Sequence, residues 1–380
     1  MPNGFSEYRE GNTILVVPDE SLTTSSPPSV PAFFNPKGRM VRDIAVIAYS
    51  SYSGKGRTTL LDPLAGVGAK AIRTLVEGDG VSNAIINDLN PTALEAAKAT
   101  ARLNGIADRL EVNNDEANSF LALRSKRELR ADIIDIDPFG SPTSYVESAI
   151  RALKDGGLLS LTATDTAALS GVYKDVAFRR YFAKSIRADC SKEVALRLLT
   201  GMVIRRAMSL DMAAIPVFTH TYMHYMRSYL ILARSATKAN SQVHNFGYIS
   251  YCSSCLNRQI GETIDRKCNV CGKNMEITGP VWLGQLFDKE FITSMVSFAE
   301  KSFSKYIRMF DLARNEAQIQ PLYYRLPDIA DRLGRTSPKP DDVIRRLRDL
   351  GFQAARSSIE PQGVKTNADI TTIKSILAED

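Results

Sequence analysis

A carboxylate, a proline and an aromatic ring stand together at Asp137-Pro138-Phe139-Gly140, directly after the apolar run Ile133-Ile134-Asp135-Ile136. An exocyclic amine on a purine is a weak nucleophile, because its lone pair is delocalised into the ring. A carboxylate that accepts one of its N–H bonds favours rehybridisation at that nitrogen. It also stabilises the positive charge that grows there as a new N–C bond forms. Asp137 is the candidate for that role. Pro138 fixes the backbone beside it, and Phe139 offers a face on which an extruded base can stack. Alone, the tetrapeptide reads equally well as a capped turn after a buried strand. Its weight comes from a second motif upstream.

That motif is Leu60-Leu61-Asp62-Pro63-Leu64-Ala65-Gly66-Val67-Gly68, an apolar strand running into a glycine turn. Glycines let the backbone approach a ligand without a Cβ in the way, and open parallel sheets bind ligands beyond the carboxyl ends of their strands. Asp88 follows Gly68 by about twenty residues, the place from which an acid can bind both hydroxyls of a ribose. The turn lacks the G-x-G-x-x-G pattern of a pyrophosphate site. Asp115-Glu116 falls where a third strand should end, where a carboxylate can accept an adenine amino group. A single acid at any of these places serves equally as a helix cap. Asp62, Asp88 and Asp115 at successive strand ends point to a nucleoside pocket. Ser53-Gly54-Lys55-Gly56-Arg57 has the residues of a phosphate loop but not its spacing, and it precedes the strand; a surface turn is expected there.

The elements that must position these residues follow from the apolar pattern. Thr58–Asp62, Ala84–Asn87, Arg109–Val112, Ile133–Asp137 and Leu158–Thr162 read as short buried strands, separated by helices such as Pro91–Leu103 and Ser144–Leu153. Continuous apolar strands alternating with helices predict a parallel sheet covered on both faces. Tyr8 to Val17 reads as a strand pair, Ser21 to Pro31 as a loop, Met40 to Ser50 as a helix and Ser228 to Ala233 as a late strand. Ala236 to Gln242, small and polar, reads as a linker, and Glu290 to Arg314 as one helical stretch.

Beyond the linker, Cys252-x2-Cys255 and Cys268-x2-Cys271 are two knuckles with the spacing of a four-thiolate Zn2+ site. All four positions are cysteine, so the expected role is structural. His220 and His224 have i,i+4 spacing, but the surrounding Val217-Phe218 and Tyr222 read as a packed strand. Leu326–Leu333 closed by Gly334, Asp341–Leu350 closed by Gly351, and a wing over Gln353–Lys365 resemble a winged helix. Its Arg345, Arg346 and Arg348 would face phosphates.

The chain has 380 residues, enough for two domains, with a net charge of +6 that suits a polyanionic partner. No apolar run approaches the eighteen residues of a membrane span, and Met1–Glu10 lacks the pattern of a secretory signal. A cytoplasmic protein without membrane attachment is expected, and no obligatory protein partner is evident.

Taken together, Glu10-Gly11, Phe33-Phe34-Asn35-Pro36 with Arg42-Asp43-Ile44, the Asp62–Gly68 turn with Ile72-Arg73, Asn87-Asp88-Leu89-Asn90, Asp137-Pro138-Phe139-Gly140-Ser141-Pro142 and Thr162-Ala163-Thr164-Asp165 resemble the tRNA guanosine-26 N2-dimethyltransferases. The resemblance runs over most of the chain. It implies an α/β class I, Rossmann-like methyltransferase domain with a smaller α+β C-terminal domain that carries the zinc cluster and the winged-helix-like segment. It implies S-adenosylmethionine as donor and the N2 amine of a tRNA guanosine as acceptor, methylated twice. Carried over, Asp137 is catalytic, and Phe33 with Phe139 holds the flipped guanine. Arg42, Asp62, Gly66, Gly68, Lys70, Asp88, Asp115 and Glu116 line the donor site. Lys70 stands where relatives are expected to carry arginine, which would exchange a bidentate grip for a point charge. The expected division is residues 1–235 for the arm and methyltransferase domain and 236–380 for the RNA-docking domain. Two alternatives stay open: a DNA amino-methyltransferase, and a nucleic-acid-binding regulator with a degenerate catalytic fold.

Overall fold

The computed structural model describes residues 2–24, 31–52 and 57–378; the turn 53–56 and most of the expected loop before Pro31 lie outside them. The chain forms two compact units. The first comprises Met1–Thr162, Tyr229–Arg234 and Ser294–Ser304; the second comprises Ala163–Ser228, Ser235–Thr293 and Lys305–Asp380.

In the first unit, β1 (Phe5–Glu10) and β2 (Thr13–Pro18) form an antiparallel hairpin, and the helix Arg39–Ser51 follows. The sheet strands are β3 (Thr58–Asp62), β4 (Val81–Asn87), β5 (Leu110–Asn113), β6 (Ala131–Ile136) and β7 (Leu153–Ala163). The pairs β3–β4, β4–β5, β3–β6 and β6–β7 are all parallel. With β9 (Tyr225–Ala233) the strand order is β5-β4-β3-β6-β7-β9, and β8 (Ala213–Tyr222) belongs to the second unit. The order turns on β3: the chain first steps outward to β4 and β5, then crosses to β6 on the other side. A crevice opens at such a switch point, beyond the carboxyl ends of β3 and β6. Asp62 closes β3 and Asp137 lies one residue past β6.

These strands form because their side chains have nowhere wet to go. Leu60, Leu61, Ile133, Ile134, Ile136, Leu158, Leu159 and Leu161 are all buried, as strands covered on both faces require. The helix Pro91–Leu103 has the predicted bounds for a local reason. Asn90 accepts the Thr92 and Ala93 N–H groups at the N-cap, and Pro91 sits where no N–H is needed.

In the second unit, β10 (Phe246–Tyr251), β11 (Arg258–Gly261) and β12 (Glu276–Trp282) make an antiparallel sheet in the order β11-β10-β12. β13 (Tyr324–Arg325), β14 (Ala354–Arg356) and β15 (Gly363–Thr366) make another, in the order β13-β15-β14. With the helices Leu326–Leu333, Pro340–Asp349 and Ile370–Ala378, this last sheet gives the expected winged-helix-like segment. Gly334 stops the first of these helices in the left-handed conformation, φ +64°.

Two expectations are corrected. Ala236–Gln242 is not a linker: Ala236–Val243 is a helix. Ser235 caps it by accepting the Lys238 N–H, and the buried Gln242 amide bonds both the N–H and the carbonyl of Ala214. Small polar composition hid a helix anchored by one glutamine. The stretch Glu290–Arg314 is two helices, Lys289–Ser302 and Ile307–Glu316, separated by a 3-10 turn at Ser304–Tyr306. The break follows Ser302-Phe303-Ser304, which are weak helix formers. His220 lies in β8 and His224 in the turn after it. Burial, reinforced by nearby Arg227, pushes the His220 pKa down to about 3, so it is a neutral packed ring beside Phe218.

Candidate active site and metal centre

Side chains two apart on a strand share a face, so Asp135 and Asp137 project to the same side of β6. Lys70 reaches both from the first turn of the helix Ala69–Glu77. Its Nζ lies 2.6 Å from Asp135 Oδ2 and 2.5 Å from Asp137 Oδ2. Asp62, at the tip of the neighbouring β3, lies near enough to feel the charges of Lys70, Asp135 and Asp137. Burial, above all, pushes the Asp62 pKa up to about 7; Lys70 opposes the shift, and Asp135 and Asp137 add to it. Burial thus favours the protonated form of Asp62. Asp62 and Asp135 are 1% exposed, whereas the Asp137 side chain is 24% exposed. Of the three, Asp137 is the one that can meet a ligand.

Beside it, Phe139 is 70% exposed, and its ring meets Phe33 edge to face, with centroids 4.7 Å apart and planes at 82°. Phe33 is held from behind. Arg42 Nη1 donates to the Asn35 carbonyl, and its guanidinium lies over the Phe34 ring, 4.6 Å from the centroid. Arg42 Nε and Nη2 both bond the buried Glu10 carboxylate, which also receives Arg73 Nη1 at 2.7 Å. Arg73 Nη2 bonds Asp43 and Glu77. Arg42, expected at the donor, is thus engaged with Glu10, tying the β1 end to the segment that carries Phe33.

The glycine turn is closed by Asp88. Its Oδ2 accepts the Gly66 N–H at 2.7 Å and its Oδ1 the Asn90 N–H at 2.9 Å. Gly66 and Gly68 have φ of +53° and +72°, and a Cβ on Gly68 would lie 3.2 Å from Ala97 Cβ and Ile72 Cδ1. Both positions therefore need glycine. Asp115 is exposed, and its Oδ1 accepts the Glu116 N–H. Glu116 caps the helix Ala117–Lys126 through the N–H groups of Asn118 and Ser119, bonds that hold its carboxyl below the usual range. Asn87 links the loops, bonding Pro63 O, Asp115 O and Asp115 N–H. A turn with no Cβ in the way, with Asp88 bonded to its backbone and the exposed Asp115 carboxylate beyond it, fits the nucleoside part of a donor.

Three contributors were not singled out from sequence: Asp135, Glu10 as an anchor, and Asn87. Asp135 had a visible signal. In Asp135-Ile136-Asp137 the two acids share a face, a signal masked by the apolar run around Asp135.

A family model described as N2,N2-dimethylguanosine tRNA methyltransferase matches residues 11–378. The chain belongs to this family. A tRNA (guanine(26)-N(2))-dimethyltransferase of Methanothermobacter thermautotrophicus is 33% identical, over 97% of each chain. A tRNA (guanine(26)-N(2)/guanine(27)-N(2))-dimethyltransferase of Aquifex aeolicus is 35% identical, over 98% of this chain and 95% of its own. The solved structure of Trm1 from Pyrococcus horikoshii with S-adenosyl-L-methionine superposes with a TM-score of 0.83. It is 27% identical, covering 97% of this chain and 99% of that one. The chain is an S-adenosylmethionine-dependent methyltransferase of tRNA guanine, and no helix among the described residues is long and apolar enough to cross a membrane.

In the second unit the four cysteine sulfurs lie within 4.8 Å of one another. The pairs Cys252–Cys271 and Cys255–Cys268 are each 3.4 Å apart. Tetrahedral thiolates at about 2.3 Å from Zn2+ would be about 3.8 Å apart, so the set fits that ion. The two knuckles repeat one backbone pattern. Leu256 N–H bonds Cys252 O, and Gly272 N–H bonds Cys268 O. Leu256 and Gly272, each just after a second cysteine, have φ of +67° and +72°. Asn257 Nδ2 and Val270 N–H donate to Cys268 Sγ.

Two of the arginines expected to face phosphates, Arg346 and Arg348, donate to carbonyls within the unit, as does Arg332. Arg332 bonds the Ser253 and Ser254 carbonyls, Arg346 the Ile376 carbonyl and Arg348 the Ala354 carbonyl. Arg345 is exposed and pairs with Asp342.

Proposed function

We propose that Asp137 accepts an N–H of the guanine 2-amino group while Phe33 and Phe139 hold the extruded base. The observation that carries this reading is that Asp137 is the one accessible carboxylate of the cluster, standing two residues from the exposed Phe139 ring. Gly66, Gly68, Asp88, Asp115 and Glu116 would hold the donor, with Asp62 and Lys70 beneath it and Arg42 supporting the Phe33 segment. The donor, when bound, supplies an electrophilic methyl on a sulfonium. The N2 lone pair forms the new N–C bond as the C–S pair returns to sulfur, and the amine proton passes to Asp137. The Lys70 contact keeps the Asp137 oxygen in place for this, so the chemistry is mostly alignment. N2-methylguanosine still has one N–H for Asp137, and N2,N2-dimethylguanosine has none. Transfer should therefore stop at two.

The substrate position is guanosine 26, as in the Methanothermobacter relative's name. The name of the Aquifex relative supports a second reading, in which guanosine 27 is also accepted. The family match favours both over the DNA-amine and non-catalytic alternatives. Functionally, residues 1–235 would serve donor and base, and residues 236–380 would dock the tRNA, with Zn2+ bound structurally by Cys252, Cys255, Cys268 and Cys271. A tRNA substrate favours work in the cytoplasm.

The test is nucleoside mass analysis, mapped to positions 26 and 27, of unmodified tRNA incubated with donor. Asp137→Ala should lower kcat by at least about 100-fold, with donor affinity within threefold of wild type. Near-normal turnover by the variant would refute the assigned role.

A further inference from the structure

The winged-helix-like segment is where basic charge is densest in sequence, yet much of it is bonded within the unit. A different surface of the second unit is better built to hold RNA. The helix Lys174–Tyr181 buries Ala177 and Tyr181 and turns its other side to solvent. Tyr173, Phe178 and Phe182 are 59%, 55% and 40% exposed. Phe178 and Phe182 are one helical turn apart, and Tyr173 stands at the start of the same helix; exposed aromatics grouped on so short a segment mark an interaction surface.

Their backbone is fixed. Asp165 receives the Tyr181 hydroxyl at 2.6 Å and Arg180 Nη1 at 2.8 Å, clamping the helix from beneath. Tyr173 N–H bonds the Ala167 carbonyl. Phe182 has φ +63°, a conformation that costs a non-glycine residue about 1 kcal/mol or more. It is held there by its own N–H on Phe178 O and by Arg205 Nη1 on its carbonyl. Arg206 lies 5.7 Å from its ring centroid. A strained residue fixed so that it presents a ring to water is a reason to look for a ligand.

The charge around these rings is mostly basic, with Asp175 and Glu276 the acids beside them. Lys174, Arg179 and Lys184 are exposed among them. Lys174 pairs with Glu276, and Lys184 with Asp175 at 3.5 Å, but both are surface ion pairs that a phosphate can replace. Aromatic faces flanked by cations recognise unpaired nucleotides, since every base has a face to stack and every nucleotide a phosphate to pair.

We propose that Tyr173, Phe178 and Phe182 form a stacking platform for unpaired nucleotides of the substrate tRNA, with Lys174, Arg179 and Lys184 on the adjoining phosphates. The proposal rests on the chain acting on tRNA, and its test separates the two. Full-length wild type, Tyr173→Ala, Phe178→Ala, Phe178→Leu and Phe178→Trp are compared for unmodified-tRNA affinity, donor affinity and oligomeric state. Wild-type methylation of the same tRNA is the check on the underlying reading. Each alanine variant should lose about fivefold to 150-fold in tRNA affinity, with donor affinity within twofold as evidence of folding. Phe178→Trp should bind like wild type, and Phe178→Leu like alanine. Arg179→Gln should reduce the slope of log affinity against log salt by about one. If wild type methylates tRNA while the alanine variants bind it unchanged, the platform is refuted. Leucine matching phenylalanine, or a change in oligomeric state at unchanged tRNA affinity, would also overturn it, the latter in favour of a contact between copies.

Discussion

Replacing Asp62 by asparagine should change how stability depends on pH, and the structure gives both sign and size. In the unfolded chain an aspartate ionises near 4. In the fold, burial and the neighbouring Asp135 and Asp137 hold the Asp62 proton until about pH 7, despite Lys70. Between these values the folded state binds more protons than the unfolded state. Stability therefore falls as pH rises through this window and levels off above it. A shift of about three units is worth about 4 kcal/mol, of which about 2.5 kcal/mol falls between pH 5 and pH 8. Asparagine removes the titration at little steric cost. Its oxygen can still accept the Leu64 N–H, which is 3.3 Å from Asp62 Oδ1, and Asp62 Oδ2 makes no hydrogen bond among the described residues. The assay is chemical denaturation followed by circular dichroism, wild type against Asp62→Asn, from pH 5 to pH 8. Titrations common to both proteins cancel in the difference. The variant should gain about 2.5 kcal/mol on wild type across the range, about 5–10 °C in Tm for a unit of this size. Parallel stability curves would show that Asp62 is already ionised at pH 5, and the retention of its proton by burial would be refuted.

Other consequences are tested more simply. Glu10→Gln leaves the buried Arg42 and Arg73 without their shared carboxylate, and should cost about 3–5 kcal/mol of stability; a loss under 1 kcal/mol in denaturant titration would remove Glu10 as the anchor of the Phe33 segment. Phe139→Ala should raise KM for tRNA and lower kcat by about tenfold or more, with Phe139→Tyr close to wild type in steady-state kinetics; equal rates for alanine and tyrosine would deny the ring its role. Metal analysis should find one Zn2+ per chain. Its removal by a chelator, or Cys255→Ser, should weaken tRNA binding more than donor binding in parallel titrations, and equal losses would contradict the division of labour.

What was legible in the sequence was whatever is decided within a few residues. The helix Pro91–Leu103 is announced by Asn90 and Pro91, and Leu326–Leu333 by Gly334; both have the predicted bounds. The strand Thr58–Asp62 is announced by an apolar run that ends at a turn. The cysteine knuckles were readable because each ligand pair lies within one turn. What stayed hidden depends on partners far along the chain. Lys70 meets acids 65 and 67 residues away, and no local pattern pairs it with Asp135 and Asp137. Gln242 turns a small polar stretch into an anchored helix by bonding Ala214. Basic residues show the same effect most clearly. Composition sees Arg332, Arg346 and Arg348 as charge for a polyanion, but each donates to a carbonyl of its own unit. Charge count thus overstates the winged-helix-like segment as an RNA surface and overlooks Arg179, which is exposed on the helix that carries Phe178. Where RNA is gripped is decided by which cations the fold leaves available, and that is a property of packing that no local pattern records.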